Sequence, residues 1–153
     1  MRKTIFKISF FIFGFLLATS VPAFPTTTSV QIHTARQIVP VRVAVANTPE
    51  LRETGLMGVT DLQDDEGMLF VYAEKGHNRF WMKNTPTSLD ILFLDSDHRI
   101  VFIAKATTPY SEAVIDPGVL TQFVLEVKAG FADRQHVSVG DVILWEGRSG
   151  SAW

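Results

Sequence analysis

Residues 67–95 read GMLFVYAEKGHNRFWMKNTPTSLDILFLD. Three short apolar runs, Met68–Tyr72, Asn78–Lys83 and Leu89–Asp95, are each of strand length and rich in aromatic and branched residues. The turn-forming group Glu74-Lys75-Gly76-His77 separates the first two. Two features interrupt this apolar background: the polar cluster Lys83-Asn84-Thr85, and Asp90 inside the third run. Burying an unpaired polar group costs on the order of 1–3 kcal/mol, and a lone charge costs more. These residues therefore form either a satisfied structural network or a site.

Working outward, the chain keeps the same character. Downstream, Arg99–Lys105 pairs as a hairpin with Leu89–Asp95 across Ser96-Asp97-His98. A Pro-marked loop covers 107–118, and Thr121–Lys128 alternates with Phe123, Leu125 and Val127 on one face. A helical turn near 129–134 and a last strand, Val142–Trp145, follow. Upstream, Val41, Val43 and Val45 share one face of a strand over Val39–Ala46, and Val30–His33 forms a short strand. One short helix is predicted near 48–57. Asn47 or Thr48 caps it, Pro49 occupies its first turn, Glu50 faces the positive dipole end and Gly58 stops it. Many short strands and one helix predict a mainly β fold: a single compact antiparallel β-sandwich or barrel-like domain.

The amino terminus reads differently. Arg2, Lys3 and Lys7 precede an apolar run, Ile8–Ala18, and then Val21-Pro22-Ala23. The run is shorter than the roughly 20 residues of a membrane span and matches a signal peptide over 1–23, cleaved after Ala23. A flexible leader over 24–38, containing the short strand, would lead into one β-rich domain over 39–147, with 148–153 as a loose tail. Cleavage removes three basic residues and no acidic ones, so the formal charge of −2 becomes −5, and 153 − 23 leaves 130 residues. That balance argues against nucleic acid as a partner, and cleavage leaves no stable membrane span. The expected location is periplasmic or secreted. The absence of cysteine excludes thiol nucleophiles, thiolate metal sites and disulfide staples, so the fold rests on packing.

Arg52-Glu53-Thr54-Gly55-Leu56-Met57, Gly67-Met68-Leu69-Phe70, Phe80-Trp81-Met82-Lys83-Asn84-Thr85 and Leu89-Asp90-Ile91-Leu92-Phe93 occur in that order. Leu125-Glu126, Ala129-Gly130 and Gly140-Asp141 follow them. This series resembles the bacterial and archaeal family named domain of unknown function 192. The resemblance spans about Val39 to Leu144 and implies a compact, often exported β-rich domain. It implies no established activity, so no catalytic residue is carried over. Ser88 stands where the family usually has Pro before the Leu-Asp pair, and Pro86 lies two residues earlier.

The candidate ligand-binding residues are Arg52, Trp81, Lys83, Asn84, Asp90 and Glu126. Lys83 could meet an anion, or pair with Asp90 or Glu126 to fix register. Asn84 could instead bond its own turn. Asp90 shares a face with Leu92 and Leu94, and Glu126 a face with Val124, so either carboxyl has a raised pKa unless paired. Trp81 is either a core aromatic or a stacking platform for a sugar. Arg52 either lies on a solvated helix face or completes the polar pocket. Met57, Met68 and Met82 read as core filler, the four histidines form no ligand pair, and Asp95 and Asp97 belong to a turn, so no metal and no cofactor is expected. The reading that follows is an exported binding module for a small molecule, saccharide or envelope protein. Two alternatives stand beside it. One is a cofactor-free hydrolase or lyase using Asp90, Glu126 and Lys83, and the other an accessory envelope protein with a purely structural polar network.

Overall fold

The computed structural model describes residues 27–145. The expected signal peptide over 1–23, the start of the expected leader and the expected tail over 148–153 lie outside the described residues.

Alternation in the sequence becomes strand wherever each face finds a partner. The elements are β1 (Thr27–His33), β2 (Ile38–Ala46), α1 (Pro49–Thr54), β3 (Glu66–Gly76), β4 (Leu89–Leu94), β5 (Ile100–Ala104), β6 (Thr121–Lys128), α2 (Phe131–Arg134) and β7 (Val142–Trp145). One sheet runs in the order β5-β4-β6-β3-β2-β1-β7. Every pair is antiparallel except β2–β3, aligned from Arg42↔Glu66 to Ala46↔Phe70. That parallel pair needs a crossover, and residues 47–65 with α1 supply it. The strand β1 is paired on both sides, by β2 and β7, so the leader is part of the sheet from Thr27 onward.

The sheet curls into a half-barrel. Its two ends meet where Arg99 bridges Val142 and Ile100 N–H donates to the Asp141 carbonyl at 2.9 Å. Burial divides between the two faces. The concave face holds Val41, Val43, Leu69, Leu92, Leu125 and Ile143, plugged by Phe131 of α2. The convex face holds Ala44, Met68, Phe70, Ile91, Phe93 and Val124, covered by Leu56, Leu62, Phe80 and Met82. Two apolar faces explain why β4 is buried along its whole length.

One local expectation is corrected and two, the short helix and the helical turn, are found within their expected bounds. Asn78–Lys83 is not a strand of the sheet. Phe80 makes an isolated bridge to Ile115, and Met82 N–H donates to Ser111 O at 2.8 Å, so the 107–118 loop takes the hydrogen bonds a sheet neighbour would have taken. The helix α1 ends at Thr54, before Met57. Gly55 adopts φ 49°, and its N–H donates back to Leu51 O. The helical turn begins at Phe131 because Gly130 takes the left-handed conformation, φ 79°.

Candidate functional site

Glu126 sits in the middle of β6 with Met68 of β3 on one side and Ile91 of β4 on the other, facing the convex core. It is 4% exposed, and its Oε2 is buried with no hydrogen-bond partner among the described residues. Burial pushes its pKa up to about 8, so the side chain is a neutral acid at neutral pH.

A cavity of about 30 Å³ opens above it, walled by Arg52, Gly55, Phe70, Phe80, Thr85 and Lys83, with Trp81 at the rim. Each wall has a local cause. Thr48 caps α1 by accepting Leu51 N–H at 3.3 Å, which fixes where Arg52 emerges. Gly55 turns the chain over Phe70, and a Cβ there would stand 3.3 Å from the Phe70 ring. Phe80 packs edge-on against Phe70 at 4.9 Å and against Phe93 at 5.5 Å. With Phe80 and Met82 turned inward, Trp81 is turned out and 44% exposed, with the Lys83 ammonium 4.9 Å from its ring centroid. One Arg52 N–H donates to Val71 O at 2.9 Å, and the guanidinium lies 4.9 Å over the Tyr72 ring.

Four of the six candidate residues therefore meet: Arg52, Trp81, Lys83 and Glu126. Asn84 does not line the cavity. It is a turn residue at φ 54° whose carbonyl accepts Gly58 N–H at 2.9 Å. Asp90 is opposite Val127 on the concave face, with the sheet between it and Glu126. Its Oδ1 accepts Ala106 N–H and its Oδ2 accepts Ala132 N–H, both at 2.9 Å, tying the 105–107 turn and α2 to β4. The pairing of Asp90 with Glu126, and the triad with Lys83, are thus corrected: neighbouring strands send the two carboxyls to opposite faces. Among the described residues Lys83 forms no ion pair, so the expected pair with either acid is also corrected. Sequence reasoning placed Thr85 in the polar cluster but did not name Gly55, Phe70 and Phe80 as walls. The alternation of Phe80 and Met82 with Trp81 and Lys83 was the available signal for which residues point at the cavity.

Fold and cavity together define a cysteine-free β half-barrel with a buried acid beneath an aromatic and basic rim. The chain belongs to the DUF192 family (Uncharacterized ACR), whose model matches residues 30–145. Two solved structures are similar to it. One, from Sinorhizobium meliloti 1021, is a candidate transcription regulator. It is 37% identical, with TM-score 0.78 over 80% of this chain and 96% of that one. The other, a protein of unknown function from Novosphingobium aromaticivorans DSM 12444, is 32% identical, with TM-score 0.77 over 83% of this chain and 94% of that one. No curated protein matches the chain.

Proposed function

We propose that this protein is an exported binding domain that takes a hydroxylated, negatively charged small molecule, such as an acidic saccharide of the cell envelope, in the cleft over Glu126. The observation that carries the reading is the Glu126 carboxyl, buried and lacking a partner for Oε2 at the floor of a cavity open at its rim. Native proteins seldom leave a buried polar atom unpaired, so such an atom points to a missing partner. A neutral carboxylic acid donates through one oxygen and accepts through the other, and a sugar hydroxyl does both. About 30 Å³ admits a group of that size and no ring. The ring of the ligand would lie outside, on Trp81, and its negative charge would face Lys83 and Arg52. Export is supported by the basic start at Arg2, Lys3 and Lys7 and the short apolar run to Ala18.

A second reading rests on the raised pKa of Glu126, which suits a general acid. The other carboxylate that lines the cleft, Glu53, is exposed on α1, whereas only Glu126 is buried with an unpartnered oxygen, so the binding reading is preferred. The regulatory role in the description of the Sinorhizobium relative is not extended to this chain, because a formal charge of −2 disfavours a surface that tracks phosphates.

The test is a thermal-shift panel of neutral sugars, acidic sugars and cell-wall fragments. A ligand at about 100 times its dissociation constant stabilises by roughly 2.7 kcal/mol, a shift of several degrees. Acidic sugars should give that shift. Trp81→Ala, Lys83→Ala and Glu126→Leu, each still folded by circular dichroism, should abolish it. Identical shifts in wild type and all three variants would place the ligand elsewhere.

A further inference from the structure

A second, larger cleft lies where strands β3, β6 and β7 end beside the β4–β5 hairpin, with a volume of about 490 Å³, in the range of small-molecule sites. Its wall is aromatic. His98 stacks on Trp145 with ring centroids 4.0 Å apart and planes 17° from parallel, and the Phe123 edge meets both rings, at 4.8 and 5.1 Å. Tyr72, which packs on the other face of the sheet, lines the cleft's edge with the Arg52 guanidinium over its ring.

The polar groups of this cleft are unevenly used. Arg52 commits one N–H to Val71 O and forms no ion pair among the described residues. The Gln122 amide N–H groups turn to the Tyr72 and Ala73 carbonyls, leaving its oxygen as an acceptor. No lining residue is acidic. Asp95 and Asp97, which act on His98 through space, belong to the hairpin turn and do not line the cleft. The result is a cleft with an aromatic wall and one uncompensated cation at its side.

We infer that this cleft is a separate binding site for a planar aromatic anion, its ring laid against the aromatic wall of His98, Phe123 and Trp145 and its carboxylate paired with the Arg52 fork. A guanidinium already stacked on an aromatic ring is held in place for a bidentate pair with a carboxylate. The site is distinct from the cavity over Glu126. The two share only Arg52, which stands between them.

The experiment is isothermal titration of the full chain with 1-naphthoate and indole-3-acetate, and with 1-naphthamide as the neutral analogue of the first. Saturable binding of both acids, at least tenfold tighter for naphthoate than for naphthamide, is expected. Arg52→Gln should erase the preference for the acid, and Arg52→Lys should keep part of it. Trp145→Leu should weaken all three ligands, while Glu126→Gln should change none. Should Trp145→Leu lose its fold, the Arg52 pair still decides the matter. The inference is overturned by absence of saturable binding, by equal affinity for acid and amide, or by loss of binding in Glu126→Gln.

Discussion

Asp90 and Glu126 are two buried carboxyls on neighbouring strands, within one residue of the same register line, since Ile91 pairs with Glu126 and Asp90 with Val127. Both are almost inaccessible, at 0% and 4% exposure. Their environments differ entirely. Asp90 faces the concave core, and each of its oxygens takes a backbone N–H. Glu126 faces the convex core, with Oε2 unpartnered beneath a cavity. The same chemical group is thus a structural clamp on one face and a candidate site on the other, and the difference lies in which backbone donors the neighbouring loops bring to it.

The largest expected effect tests the clamp. Asp90→Ala leaves the buried Ala132 N–H and the part-buried Ala106 N–H without an acceptor; at about 1–3 kcal/mol for the first and less for the second, the protein should lose about 2–4 kcal/mol of stability. Asp90→Asn should also destabilise, because its amide nitrogen must face one of the two N–H donors. Urea unfolding of both variants checks this. A loss under 1 kcal/mol would mean that Asp90 does not hold α2 and the 105–107 turn.

The next effect tests the orphan. Glu126 has a folded pKa of about 8 against an ordinary value of 4.5. The folded state therefore holds a proton that the unfolded chain releases between those values, and stability falls as pH rises through that window. Below pH 4.5 both states are protonated and no penalty is felt. Glu126→Gln should flatten this slope, gaining on wild type on the order of a few kcal/mol at pH 9 relative to pH 5. Denaturant midpoints at the two pH values give the comparison. An unchanged slope would mean that Glu126 is solvated.

A smaller effect tests the strand pairing that lies between the two acids. Gly67 of β3 is opposite Val127, and a Cβ there would stand 2.3 Å from the Glu126 carbonyl oxygen. Gly67→Ala must push β3 from β6, with a cost of about 1–3 kcal/mol. Hydrogen exchange should show the amides of β3 and β6 losing protection before those of β1 and β7.

Much of this fold was legible. The limits of β6 and β7 match the alternating runs residue for residue, and those of β2 differ by one, because alternation reports burial directly. Asn78–Lys83 read as a strand with Trp81 left open between core and platform; the structure turns Phe80 and Met82 inward and Trp81 outward, as alternation would have it, but the partner is a loop that no local pattern names. The helix end was ambiguous because Gly55 and Gly58 both take positive φ, and only the first caps the helix. The opposed faces of Asp90 and Glu126 were not legible for a related reason. Alternation places a residue on one of two faces of its own strand, whereas comparing faces between strands requires the register. The aromatic cleft joins Tyr72, His98, Phe123 and Trp145 from four separate segments, and no local pattern brings them together.

The smallest expected effect has the opposite sign to that of Glu126. His98 lies between Phe123 and Trp145, and burial lowers its pKa below the ordinary 6.5, against the opposing pull of Asp95 and Asp97. In the window between 6.5 and that lowered value the unfolded chain binds more protons than the folded one, so this contribution is complete above 6.5 and declines as the solution is acidified. In wild type it is partly masked, because Glu126 gains stability over the same fall in pH. The Glu126→Gln background should uncover it as a shallow loss of stability on acidification from pH 7 to pH 5. His98 sits at φ 61°, a conformation Asn tolerates, so adding His98→Asn removes the titrating ring with little strain on the hairpin turn. The double variant should show a flatter profile over that range than Glu126→Gln alone. An equal slope in the two would mean that the imidazole keeps its ordinary hydration against Trp145.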